Sequence, residues 1–362
     1  MRRLPIYFLI DVSESMVGEP IQAVEDGLAM IIKELKTDPY AIETVWVSII
    51  VFAGQPKTLV PLQEIINFYP PRFPIGSGTS LSQGLGHLMF ELRRNIVKTT
   101  YEQKGDWKPL VFLFTDGVPT DETKVAVQEW KNNWARTANM VAVSFGRDSN
   151  IPVLHDLTEN VIAFKQSDQG SYKRFFKWVT DSIKTNSESV ESGNSSFEMA
   201  KLDETVVQKV EKNEHQPRYN VDDNYVVLAG KCQNTKRPYL MKYGKTSIPS
   251  NVPGLEEMGT RIYKLIGAYP VDNTYHELTD GTAKQFSINT NELWGAPTCP
   301  CCGNQFGFAM CGCGEIHCVG IDEIDKGDGK PPKKQSCCPG CNTMGSFGAG
   351  GSEGFDVNRT QG

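Results

Sequence analysis

A chain of 362 residues with 39% hydrophobic and 22% charged residues has the composition of an ordinary soluble globular protein of two domains or three. A net charge of −6 argues against nucleic acid as the main partner, because the electrostatic footprint of such proteins is basic. No run reaches the roughly 18 apolar residues of a membrane-spanning helix. The opening "MRRLPIYFLID" carries a proline and stops at Asp11 without a small-residue cleavage site, so it reads as mature protein.

Residues 5–11, "PIYFLID", read as a buried strand of the parallel type. Apolar residues at helical spacing over 20–36, with a proline at the start, predict a helix. The run 44–53, "TVWVSIIVFA", is β-branched and aromatic, hence a strand. A helix is expected over 80–102 with Ser80 as its cap, then a strand over 109–116 that again ends in Asp. Helix 121–138, strands 140–146 and 161–164, and helix 171–185 complete the set. Strand and helix alternating at this pitch imply an α/β, doubly wound, mostly parallel sheet, Rossmann-like in organisation. In such sheets ligands sit beyond the carboxyl ends of the strands, where Asp11 and Asp116 both fall.

The composition then changes. Residues 191–216 are polar at first and read as a linker, with a short helix expected somewhere in 197–215. From 217 to 345 the texture is β-rich, with short strands expected in "NYVVLAGKC", "PYLMKYGK", "RIYKLIGAY" and "KQFSINT". Residues 346–362 are Gly-rich and read as a disordered tail.

The first strand runs out into "DVSES". Alternate positions of an extended segment point the same way, so Asp11, Ser13 and Ser15 line one side of the departing loop. A carboxylate and two hydroxyls form a hard-oxygen surface suited to Mg²⁺ or Mn²⁺. Thr79 in "GSGTSL" and Asp116 in "FTDGVPTD" fall at two further loops of the same sheet edge. The competing reading makes Ser13, Ser15 and Asp116 simple helix caps.

These five residues resemble the metal-ion-dependent adhesion site of von Willebrand factor A domains, D-x-S-x-S followed by a Thr and then an Asp after a later strand. The resemblance spans residues 1–190 and implies that fold. It also implies a bound Mg²⁺ or Mn²⁺ whose open position takes a carboxylate from a protein partner, so the function is binding and not turnover. Ser13, Ser15 and Thr79 are also candidate phosphoacceptors, where added negative charge would compete with the partner.

None of the ten cysteines lies in the first 231 residues, and nine crowd between Cys299 and Cys341. Close pairs without a secretory signal favour zinc over disulfides. The pairs Cys299/Cys302, Cys311/Cys313, His317/Cys318 and Cys338/Cys341 supply ligands for one zinc ion or two, and spacing does not say which pairs share an ion. Cys301 and Cys337 are spares, either able to replace His317, and Cys232 reads as a core thiol.

An A domain followed by a small Cys-rich module resembles the TerY-like proteins of bacterial tellurium-resistance and stress-response systems. That resemblance implies a cytoplasmic bacterial scaffold linked with a protein Ser/Thr kinase and a metal-dependent protein phosphatase. Two other readings stand beside it. One is a metal-dependent phosphoester hydrolase, for which no general base can be named. The other is nucleic-acid binding through the zinc module. The "GGSEG" at 350–354 fits a nucleophile elbow only formally, since no strand precedes it, and there is no P-loop.

Overall fold

Leu4–Asp11 form strand β1, and all eight residues are buried. That is the signature of a central strand with helices on both faces. The computed structural model describes residues 2–116, 119–145, 152–164, 169–191, 199–201, 207–209, 224–248, 260–280, 286–320, 322–324, 333–346 and 354–360. They fall into two units: Met1–Val221 together with Leu278–Asp280, and Asp222–Glu277 together with Gly281–Gly362.

The first unit continues with β2 (Val45–Phe52), β3 (Pro56–Glu64), β4 (Leu110–Thr115), β5 (Asn139–Ser144), β6 (Val161–Phe164) and β7 (Val207–Lys209). The sheet order is β3-β2-β1-β4-β5-β6-β7. Strands β2, β1, β4, β5 and β6 are parallel, and β3 and β7 close the edges antiparallel. The helices are α1 (Glu19–Leu35), α2 (Pro39–Thr44), α3 (Leu81–Asn95), α4 (Lys124–Asn133), α5 (Pro152–Leu157) and α6 (Gln169–Glu191).

Alternation along β1 separates two cores. Ile6, Phe8 and Ile10 pack with Leu28, Ile31, Phe175 and Phe176 of α1 and α6. Tyr7 and Leu9 pack with Leu85, Leu88 and Trp130 of α3 and α4. The aromatic cluster on the first face is dense: Phe114 meets Phe175 and Phe176 edge-on at 6.3 and 5.9 Å between ring centroids.

Three expectations need correction. The helix expected over 80–102 stops at Asn95, because Ile96 turns to extended backbone (ψ 122°) ahead of a β-branched run. The helix expected over 171–185 instead runs on to Glu191. There Thr185 and Asn186 turn their side chains back onto the carbonyls of Asp181 and Ser182, and Ser187 is fully buried. Within the stretch where a short helix was expected, Val207–Lys209 form an edge strand against β6. The rest of the linker reading, 192–198, 202–206 and 210–216, lies outside the described residues.

The second unit contains β8 (Tyr225–Lys231), β9 (Pro238–Ile248), β10 (Thr260–Pro270), α7 (Thr274–Leu278, all but its last residue), β11 (Phe286–Asn289), β12 (Leu293–Trp294), β13 (Phe306–Met310), β14 (Ile316–Val319), β15 (Asp322–Ile324), β16 (Lys333–Cys337), β17 (Met344–Ser346) and β18 (Asp356–Arg359). Its main sheet has the order β12-β10-β9-β8-β14-β13. The core is small: Val226, Leu228, Tyr239, Met241 and Tyr243, with the thiols of Cys232, Cys299 and Cys318 among them.

The tail read as disordered is also corrected, for β18 pairs antiparallel with β11 and Val357 is only 1% exposed. One apolar side chain and a ladder of backbone bonds suffice to order it, which its glycine-rich flank conceals. Residues 347–353 and 361–362 lie outside the described residues. Among the described residues no helix is long and apolar enough to cross a membrane.

Candidate metal centres

The first centre is built at the carboxyl end of the parallel sheet. Asp11 is the last residue of β1, and its Oδ1 accepts the Ser13 amide at 2.9 Å, which turns the chain out of the sheet. Ser13 Oγ and Ser15 Oγ lie 3.0 Å apart, and Ser15 Oγ donates to Asp116 Oδ1 at 2.7 Å. Thr115, the last residue of β4, donates its hydroxyl to Asp11 Oδ2 at 2.6 Å. Asp11, Ser13 and Ser15 are fully buried and Asp116 is 8% exposed.

Thr79 enters through a second loop that is laced to the first. The Gly76 amide donates to the Val12 carbonyl at 2.9 Å, and the Gly78 amide to Glu14 Oε2 at 3.3 Å. Thr79 itself is 1% exposed and joins the third loop twice. Its amide donates to Thr120 Oγ1, and its carbonyl accepts the Thr120 amide, both at 3.0 Å. Asp121 secures the same junction by capping α3 through the Ser82 amide at 2.9 Å.

The structure therefore joins Asp11, Ser13, Ser15 and Asp116 in one hydrogen-bonded set, with Thr79 in the adjoining loop. Three residues that the sequence reading passed over hold the arrangement: Glu14, Thr115 and Asp121. Glu14 stood inside the "DVSES" motif and Asp121 in "PTDE" just ahead of a helix, which is where a cap belongs.

Burial pushes the Asp11 carboxyl up to about 6, with the Glu14 charge adding to it and hydrogen bonds from Ser13 and Thr115 opposing it. A buried carboxylate beside a second acid calls for a counter-charge. Carboxylates and hydroxyls are hard donors, so the set fits a cation such as Mg²⁺ or Mn²⁺.

The cysteines form two further centres. Cys232, Cys299, Cys302 and Cys318 make one group, and Cys311, Cys313, Cys338 and Cys341 the other, each with its sulfurs within 4.8 Å of one another. A tetrahedral zinc with Zn–S bonds of about 2.3 Å requires sulfurs about 3.8 Å apart. The separations fit: Cys302–Cys318 3.7 Å, Cys318–Cys232 3.9 Å, Cys311–Cys341 3.6 Å and Cys313–Cys338 3.7 Å. Each group can hold one zinc ion, and four protein thiolates leave no position for a catalytic water.

Four turns of one kind deliver these ligands. At Cys232, Cys299, Cys311 and Cys338 the cysteine carbonyl accepts an amide three or four residues on, from Lys236, Gly303, Gly314 and Asn342. Each of those four residues has positive φ. Backbone amides then face the sulfurs, as Thr235 N does Cys232 and Gly340 N does Cys338, at 3.3 and 3.4 Å. Burial opposes ionisation of Cys232, but hydrogen bonds from Thr235 and Cys302 outweigh it and bring the thiol down to about 7. At Cys341, hydrogen bonds from the Thr343 hydroxyl and amide lower the thiol to about 6.

Two expectations change here. Cys232 is not a bystander in the core but a member of the first group, and His317 is in neither group. The reason is the two-residue period of a strand. His317 and Cys318 are neighbours on β14, so when Cys318 faces the cluster His317 faces away; its Nδ1 lies 3.0 Å from the Cys318 carbonyl. Cys301 and Cys337 lie outside both groups. The signal for Cys232 was in "CQNTK", which forms the same turn with only one cysteine in it.

Residues 6–185 match the von Willebrand factor type A domain family, and residues 222–362 match the family described as TerY-C metal binding domain. No curated protein matches the chain. Among solved structures, proximal thread matrix protein 1 from the mussel byssus is 19% identical, with a TM-score of 0.37 over 50% of this chain and 48% of its own. The PilB minor pilin of Streptococcus sanguinis is 13% identical, with a TM-score of 0.38 over 51% and 62%. BatB of Bacteroides thetaiotaomicron is 13% identical, with a TM-score of 0.35 over 51% and 99%. The chain thus spans less than two thirds of the length of the first two structures. The chain is therefore a von Willebrand factor type A domain followed by a TerY-C metal binding domain.

Proposed function

We propose that this chain is a non-enzymatic scaffold that holds Mg²⁺, or Mn²⁺, through Asp11, Ser13, Ser15, Thr79 and Asp116. Through that ion it grips a carboxylate on a protein partner. The observation that carries the reading is the hydrogen-bonded set of buried oxygens from separate loops, Ser13–Ser15–Asp116 and Thr115–Asp11, at the carboxyl edge of the sheet. These side chains would hold the ion, and the ion would supply a charge-assisted contact for a partner's acid. Of the nearby carboxylates, Glu14 accepts the Gly78 amide and Asp121 the Ser82 amide, which favours binding over base-assisted hydrolysis.

The zinc centres are structural in this reading: thiolate-bound ions contribute folding free energy to a unit whose apolar core is small. The join of an A domain to a TerY-C domain supports a role in a bacterial tellurium-resistance or stress-response system. There the protein would act in the cytoplasm beside a Ser/Thr kinase and a metal-dependent phosphatase.

The test is Mn²⁺ binding to the full chain, followed by the loss of its free-ion electron spin resonance signal. One ion should bind outside the thiolate centres. Asp11→Ala and Asp116→Ala should abolish it while zinc content and circular dichroism stay unchanged. Retention of the ion by both variants would overturn the reading.

A further inference from the structure

The metal-site loops carry a short stretch of distant chain on their flank. Leu278, Thr279 and Asp280 belong to the first unit, although 202 positions separate Thr279 from Ser77, which it touches. The Gln55 amide donates to the Leu278 carbonyl at 2.9 Å, and the Ser77 amide donates to Thr279 Oγ1 at 3.1 Å. Leu278 is 1% exposed and joins the core that contains Val12 and Ala53.

Two glycines make room for this stretch. A Cβ on Gly54 would overlap the Asp280 amide nitrogen and lie 2.9 Å from the Asp280 Cβ. A Cβ on Gly76 would lie 2.5 Å from the Leu278 Cβ. Gly54 in turn abuts Gly78, the residue before Thr79: a Cβ there would stand 3.6 Å from the Gly54 Cα. The groove floored by Gly54 and Gly76 therefore runs alongside the loop that carries Thr79. The segment in it reads apolar, hydroxyl, carboxylate.

We propose that this groove is the docking site for the partner's segment, and that Leu278–Asp280 occupies it in cis until a partner displaces it. The partner is then an acidic protein segment of the same chemistry: an apolar anchor, a hydroxyl for the Ser77 amide, and a carboxylate at the position that Asp280 holds against Gly54. This deepens the metal-site reading and rests on it. A tethered segment competes at an effective concentration on the order of millimolar, so a partner must bind well or arrive when the segment is out.

The experiment uses the full chain in Mn²⁺ buffer and, as probe, a fluorescein-labelled peptide of residues 272–281, read by anisotropy. Leu278→Ser frees the anchor. The double variant Thr279→Val with Asp280→Asn frees the polar end and guards against a folding defect in the first. Both variants should take up the peptide at least tenfold more tightly than the wild type, and hydrogen exchange at the Gln55 and Ser77 amides should quicken. Equal uptake by all three proteins, including none by any, overturns the proposal. Free Mn²⁺ is followed in the same samples. A wild type that binds no Mn²⁺ sinks the metal reading and this one with it, whereas Mn²⁺ bound with equal peptide uptake sinks only the docking site.

Discussion

Ser15 Oγ donates to Asp116 Oδ1 at 2.7 Å across 101 positions of sequence. This bond ties the loop leaving β1 to the loop leaving β4, and it holds two candidate ligands at contact distance. Thr115 does the same for the other side, with its hydroxyl on Asp11 Oδ2. These partners orient the donors, so their loss weakens ion binding without removing a ligand.

Thr115→Val is therefore expected to lower Mn²⁺ affinity by about 10–100-fold, the usual cost of losing an orienting partner. Asp11→Ala is expected to abolish binding. Titration followed by electron spin resonance separates the two. Equal affinity of Thr115→Val and wild type would show that the hydroxyl has no orienting role.

Zinc stoichiometry distinguishes the cysteine assignments. Cys232→Ser is expected to reduce zinc per chain from two to one, whereas His317→Gln keeps both, as read by mass spectrometry of the purified protein. The reverse outcome would restore His317 as a ligand.

Chelation should proceed in order. Cys313 and Cys341 are exposed, whereas Cys232, Cys299 and Cys318 are buried. A chromogenic chelator is expected to strip the second group first, giving two resolved phases of zinc release. A single phase would mean that the two centres are equally accessible.

Asp121 gives a pH signature. Burial raises its carboxyl to about 6, against the hydrogen bonds from the amides at the start of α3. The folded form thus holds the proton more tightly than the unfolded chain. Its contribution is present in full below the unfolded pKa of about 3.9 and is lost as pH rises through about 6. Asp121→Asn keeps an acceptor for the Ser82 amide and removes the titration. Its melting temperature should fall less than that of the wild type between pH 4 and pH 6, by an amount worth about 2 kcal/mol. Parallel profiles would contradict this.

The C-terminal strand is the fifth case. Val357 is 1% exposed, and β18 pairs with β11. Val357→Asp buries a charge without a partner and is expected to cost about 2–4 kcal/mol, seen as faster proteolysis at residues 286–289. An unchanged digestion pattern would return this segment to the status of a tail.

Much of the first unit was legible because its signals are local. β1, β2, β4, β5 and β6 are runs of mostly buried residues, and a doubly buried strand is apolar at nearly every position. β3 was missed because it is a half-exposed edge, "PKTLVPLQE", with a proline at each of two positions. The oxygen donors were legible because they sit where such runs end. Glu14 and Thr115 were not, because their role lies in what they touch across the chain.

By itself the sequence determined the residue chemistry: hard oxygens at the ends of buried strands, and thiols in tight turns. It determined the alternation that folds the first unit and the β-rich character of the second. Tertiary structure alone decided which donors lie together, that Cys232 and not His317 completes the first thiol group, and that Leu278–Asp280 lies against the Thr79 loop. The physical reason is the same each time. Residue type is a property of one position, whereas coordination and docking need atoms within a few ångströms, and only strand register and the path of the chain bring them there.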